Sequence, residues 1–132
     1  MSVEHNAWHP AARSQELTDR PLGRCILDTP VVLFRDAGGH AVALRDRCPH
    51  GLGPLSTGYM SGEVIVCAYH GLRVDKRGNC VDSRIEESAR DAARVDSFAV
   101  QEREGILWVW MGDPALAGAW LPGLESHQRT TD

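Results

Sequence analysis

Apolar residues along this chain come in short runs broken by turn-forming residues, the rhythm of strands rather than of helices. Cys25-Ile26-Leu27, Val31-Val32-Leu33-Phe34 and Ala41-Val42-Ala43-Leu44 are separated by Asp28-Thr29-Pro30 and by Asp36-Ala37-Gly38-Gly39. This spacing predicts a β-meander. Gly38-Gly39 supplies the positive backbone angles of a tight turn, so the second and third runs are expected to pair antiparallel. Val64-Ile65-Val66 is a further strand, and Leu72 to Val81 reads as strand, turn, strand with Gly78 at the turn. Ser97 to Gln101 and Gly105 to Met111 predict a closing hairpin around Arg103-Glu104-Gly105, with Ile106, Trp108 and Trp110 on one face. Helix is scarce: one turn at Ser14 to Leu17, with Ser14 as N-cap and Leu17 inward, and a helical turn within the loop from Glu86 to Ala93. Trp8 is expected at the edge of the fold. The expected class is all-β.

Composition narrows this picture. With 132 residues, 13 Gly and 7 Pro, the chain can bury one core and has no room for a full α/β barrel. Its formal charge is −4, and residues 1–66 carry 6 basic and 7 acidic side chains against 8 and 11 in residues 67–132. Neither half is a cationic footprint, which argues against nucleic acid as a partner. The longest strongly apolar stretch, Ile106 to Met111, is six residues, against about 18 for a membrane span. The first residues do not read as a secretory signal, so a reducing cytoplasm is the expected compartment.

Candidate chemistry lies in Cys48-Pro49-His50 and Cys67-Ala68-Tyr69-His70. Each half offers one thiolate and one imidazole. A [2Fe-2S] centre of mixed ligation needs two thiolates on one iron and two imidazoles on the other, and two loops each giving one of each supply that set. Gly51, Gly53 and Gly58 follow the first pair and Gly71 the second, which suits close approach of backbone to an inorganic core. Three other readings stand beside this one. A zinc site could use the same four residues, although small zinc fingers group their cysteines first and their histidines later. Either pair alone could be a core histidine beside an unrelated thiol, or a cysteine nucleophile with a histidine base.

The chain resembles the N-terminal Rieske [2Fe-2S] domain of bacterial ring-hydroxylating oxygenases, the phthalate dioxygenase and vanillate demethylase-like group. The stretches that carry the resemblance are Trp8-His9-Pro10, Val31 to Arg35, Cys48-Pro49-His50 with Pro54-Leu55-Ser56 and Gly58, Cys67 with Tyr69-His70-Gly71, Asp75 with Gly78, and Trp108-Val109-Trp110 leading to Gly112-Asp113. The resemblance implies the Rieske fold, antiparallel sheets with cluster-binding loops at 48–58 and 67–72, in a domain spanning 1–122. Residues 123–132 would be a polar tail or the start of a linker to a catalytic domain. It also implies a Rieske-type cluster with Cys48 and Cys67 on the inner iron and His50 and His70 on the outer one.

Gly51-Leu52, Ala68, Leu72 and Val74 depart from the common family pattern and alter the docking surface rather than the ligands. Gly53 and Tyr69 stand where respiratory Rieske proteins carry a loop disulfide. Cys25 and Cys80 are expected as buried thiols, and Leu52 and Leu55 as an apolar rim over the cluster. By the same resemblance, a reductase or ferredoxin would donate the electron and a mononuclear iron held by two histidines and a carboxylate would accept it. His5, His9, His40 and His127 are too scattered to form that second site. The expected function is one-electron transfer within an aromatic ring-hydroxylating or demethylating oxygenase. A free-standing Rieske ferredoxin is the alternative, followed by a zinc-stabilised interaction module.

Overall fold

The computed structural model describes residues 7–49, 53–68, 71–82, 86, 88–89, 93–113 and 117. Among the described residues, ten strands form three sheets. The first sheet contains β1 (Trp8–Arg13), β10 (Ile106–Trp110) and β9 (Val100–Arg103), in that order. The second orders β2 (Leu22–Ile26), β3 (Thr29–Arg35), β4 (Ala41–Arg45) and β8 (Ser97–Phe98). The third holds β5 (Tyr59–Ser61), β6 (Val64–Val66) and β7 (Arg73–Val74). All of these strand pairs are antiparallel, so the expected all-β class holds.

The apolar run in β3 explains how the sheets stack. Val31, Val32, Leu33 and Phe34 are all fully buried, which a strand with one wet face could not achieve. Their side chains alternate between two cores. Val32 and Phe34 join Leu44, Leu55, Ile65, Leu72 and Val74, while Val31 and Leu33 join Leu17, Ile26, Ala43, Leu107 and Val109. The second sheet is therefore a middle layer, with the first sheet over one face and the third over the other. Burying each such side chain contributes about 1.5–3 kcal/mol before entropy is counted.

The β2–β3–β4 meander and its Gly38-Gly39 hairpin form as expected, with Phe34 opposite Val42 and Arg35 opposite Ala41. Asp36 fastens that turn by accepting from the N–H groups of Gly38 and His40, each at 2.9 Å. Of the strand–turn–strand expected at 72–81, the first strand and the turn form, while the second arm makes only isolated bridges. Val74 bridges Cys80, Gly78 has φ 86°, and Asp75 accepts from the N–H groups of Arg77 and Asn79. Within the stretch expected to hold a helical turn, the Ala93 N–H donates to the Ala89 carbonyl at 3.0 Å. Trp8 lies on edge strand β1, its ring edge-on to Trp110 with centroids 5.6 Å apart.

Three expectations are corrected. Leu27 is not in a strand: Leu27 and Asp28, with φ of 50° and 63°, form the two-residue turn between paired Ile26 and Thr29, which draws Thr29 and Pro30 into β3. Residues 97–101 are not one strand. The chain crosses layers at Ala99, so Phe98 pairs with Ala43 of the middle sheet while Val100 pairs with Val109 of the first. At residues 14–16 the helix is a single 3-10 turn capped by Arg13, whose N–H donates to Glu16 Oε1 at 2.9 Å. The Ser14 N–H is already committed to the Gly105 carbonyl. Leu17 does face inward, at 3 % exposure. Strands β1 and β5 had no expectation attached. β1 contains Pro10 and a register shift between Pro10 and Ala12, which erases its alternation, and β5 is only three residues long.

Candidate metal centre

Cys48 and Cys67 are each 1 % exposed and belong to the same buried cluster, between the middle and third sheets. Each begins a small loop closed in the same way. The Cys48 N–H donates to the Gly53 carbonyl at 2.8 Å, and the Cys67 N–H donates to the Leu72 carbonyl at 2.8 Å. Both closures join a cysteine to the residue five places on, so the two stretches are closed by the same kind of bond. His50 and His70 fall inside these lobes in sequence and lie outside the described residues.

The second lobe is the loop of the β6–β7 hairpin, where Val66 pairs with Arg73. Gly71, with φ 67°, turns it and donates to the Cys67 carbonyl at 3.0 Å. The first lobe has no hairpin and depends on side chains. Asp46 is tied to β3 by its N–H, which donates to the Pro30 carbonyl at 2.9 Å. Its carboxylate then accepts from the Ser56 N–H at 2.7 Å and the Ser56 hydroxyl at 2.5 Å. These bonds hold the two ends of the first loop together. Charged acceptors make such bonds stronger than neutral ones.

Gly58 joins the two lobes. A Cβ there would sit 1.9 Å from the carbonyl oxygen of Val66, the residue before Cys67. Any side chain would push the end of the first loop away from the start of the second, so the side-by-side placement of the lobes requires glycine. Asp46 and Ser56 were not singled out in the sequence as a pair. An acidic residue two before the first cysteine and a serine ten places on is a signal that loop closure makes readable afterwards.

All four cysteines are free thiols. Cys80 is buried at 5 % exposure, as expected, and shares the cluster with Cys48 and Cys67. Cys25 is exposed, contrary to expectation. Strand parity is the cause: Ile26 takes the inward face of β2, so Cys25 faces out. Leu55 is not a rim over the loops but a fully buried core residue; Leu52 lies outside the described residues.

Two buried, unbridged thiols at the mouths of matched loops form a soft donor pair. Thiolate sulfur is the soft donor that iron–sulfur centres use, so the donor chemistry fits an iron held by two thiolates. Among the described residues, no three His, Cys, Asp or Glu side chains gather as a metal site. Nor, among them, is any helix long and apolar enough to cross a membrane.

A family model described as the Rieske [2Fe-2S] domain matches residues 7–99. The oxygenase component of dicamba O-demethylase from Stenotrophomonas maltophilia is 48 % identical over 118 residues, 89 % of this chain and 35 % of that protein. The vanillate O-demethylase oxygenase subunit from a Pseudomonas species is 36 % identical over 127 residues, 96 % of this chain and 35 % of that protein. The crystal structure of apo dicamba monooxygenase superposes with a TM-score of 0.82 at 45 % identity, covering 90 % of this chain and 37 % of that one. The chain thus spans about a third of the length of the curated relatives it matches.

Proposed function

The chain belongs to the Rieske [2Fe-2S] domain family, and from that premise we propose that it is the electron-accepting portion of an aromatic ring-hydroxylating or demethylating oxygenase. The observation that carries this reading is the pair of buried thiols, Cys48 and Cys67, each opening a loop closed onto the residue five places later. Cys48 and Cys67 would hold one iron of the cluster and His50 and His70 the other. The matched family span contains all four. When bound, the cluster supplies a one-electron couple.

The chain's own residues then have defined tasks. Asp46 and Ser56 fix the span of the first loop, Gly58 keeps it against the second, and Leu55, Leu72 and Val74 keep water from the thiolate side. A dry, rigid setting lowers the reorganisation that accompanies a change of charge. Residues 1–122 would form the domain, with 123–132 leading toward a catalytic part that holds the mononuclear iron. The electron would come from a reductase or ferredoxin, in a cytoplasmic setting that suits four unbridged thiols.

The test is the absorption and electron paramagnetic resonance spectrum of anaerobically purified protein before and after dithionite, with iron and zinc analysis. About two irons per chain and a mixed-ligand spectrum that survives Cys25→Ser but not Cys67→Ser support the reading. One zinc and no visible absorption overturn it.

A further inference from the structure

Next to the first loop a cavity of about 250 Å³ opens over Cys48 and Pro49, and Arg45, Arg47, Arg94 and Asp96 line it. Three guanidiniums and one carboxylate give it a net positive lining in a chain whose formal charge is −4. Two arginines elsewhere are paired, Arg24 with Glu16 at 2.8 Å and Arg35 with Glu102 at 3.0 Å. Among the described residues no carboxylate lies within ion-pair distance of Arg45, Arg47 or Arg94. Arg45 goes further, because its Nε is buried and has no hydrogen-bond acceptor. A buried donor left unmatched is costly, and it leaves the Arg45 guanidinium with no acceptor of its own at the cleft.

We propose that this cleft is the docking site for surface carboxylates of an acidic electron-donor protein. The proposal rests on the function proposed above, since Cys48, at the cleft's floor, is there a ligand of the cluster. Charge complementarity selects the occupant. An acidic partner is repelled by the chain's net charge and attracted at this cleft, where the cluster loop begins. Local fields of this kind orient encounters and raise association rates by about 10- to 1,000-fold at low salt. Arg47 and Arg94 are exposed and can steer, whereas Arg45, half-buried at the end of β4, is positioned to fix the final contact.

The experiment titrates the oxidised holoprotein with an acidic plant-type [2Fe-2S] ferredoxin by calorimetry, at low and at 0.5 M salt, for the wild type, the double variant R47Q/R94Q, and R20Q. Arg20 is an exposed cation remote in sequence from the cleft, so R20Q reports the effect of losing one surface charge away from it. The expected result is binding that weakens with salt, at least about fivefold weaker in R47Q/R94Q and little changed in R20Q. Equal weakening in both variants, no dependence on salt, or no binding overturns the proposal. So does free citrate that occupies the cleft without competing with ferredoxin. The visible spectrum of each sample, recorded in parallel, shows whether the cluster itself is present and separates failure of the docking site from failure of the proposed function.

Discussion

The two faces of the middle sheet are built on opposite plans. Against one face the first sheet lays strands of six, five and four residues, joined in long ladders over a core of aliphatic side chains and Met111. Against the other, the third sheet offers strands of only three, three and two residues, and the core beneath it contains three of the four cysteines. Backbone pairing holds the first half. In the second, loop closures, the Asp46–Ser56 clamp and one glycine contact do much of that work. A half fastened by a few local bonds is where a bound cofactor adds most to order, because its binding energy becomes folding energy for the residues that hold it.

The largest test uses neighbours on one strand. Phe34→Ala should cost about 3–5 kcal/mol and Leu33→Ala about 2–5 kcal/mol, as expected for cavities at fully buried sites. Only Phe34→Ala should also lower the iron content of the folded protein, because Phe34 shares a core with Cys48 and Cys67 and Leu33 does not. Denaturation curves with metal analysis read both, and equal iron loss in the two variants would erase the distinction. Next, stripping the metal should lower amide-exchange protection at Ile65 and Val74 at least about tenfold while Leu107 and Val109 keep theirs. Uniform loss would mean that the halves unfold together.

A smaller effect is expected at the clamp. Ser56→Ala leaves Asp46 without its hydroxyl donor and should cost about 1–3 kcal/mol, with faster cluster loss on dilution as the accompanying sign. Smallest is the tie between the middle and first sheets. The Arg35 guanidinium holds Glu102 below the ordinary carboxylate value, so this pair stabilises the fold above the unfolded carboxyl pKa of about 4.3 and ceases to do so as pH falls through the depressed folded value. Glu102 is 36 % exposed, which limits the contribution to about 1 kcal/mol or less. Glu102→Gln should flatten the acid limb of the stability curve by that amount while leaving iron content unchanged.

The same contrast governs what the sequence made legible. The β3–β4 hairpin could be read from Val31 to Leu44 because local turn chemistry and apolar runs agree there. The two Cys and His pairs could be read because metal ligation constrains residue type as well as spacing. Sheet membership could not. Ser97 to Gln101 looks like one strand until the tertiary layers divide it at Ala99, and Cys25 looks buried until the parity of β2 sends it outward. Short β5 carried too little pattern to be seen, and Pro10 with its register shift hid β1. The Asp46–Ser56 clamp is a contact across a loop, and single-sequence periodicity carries no record of such pairs.

The alternation in β3 has a genetic corollary. A substitution at any of its four central residues edits one half of the molecule and leaves the other to its own packing. Losing or gaining a single codon there would instead exchange the occupants of both, sending Phe34 toward the space shaped for Leu33 and Leu33 toward the cysteine side. Strand β3 therefore behaves as a shared reading frame, tolerant of local misspelling and intolerant of any shift in phase.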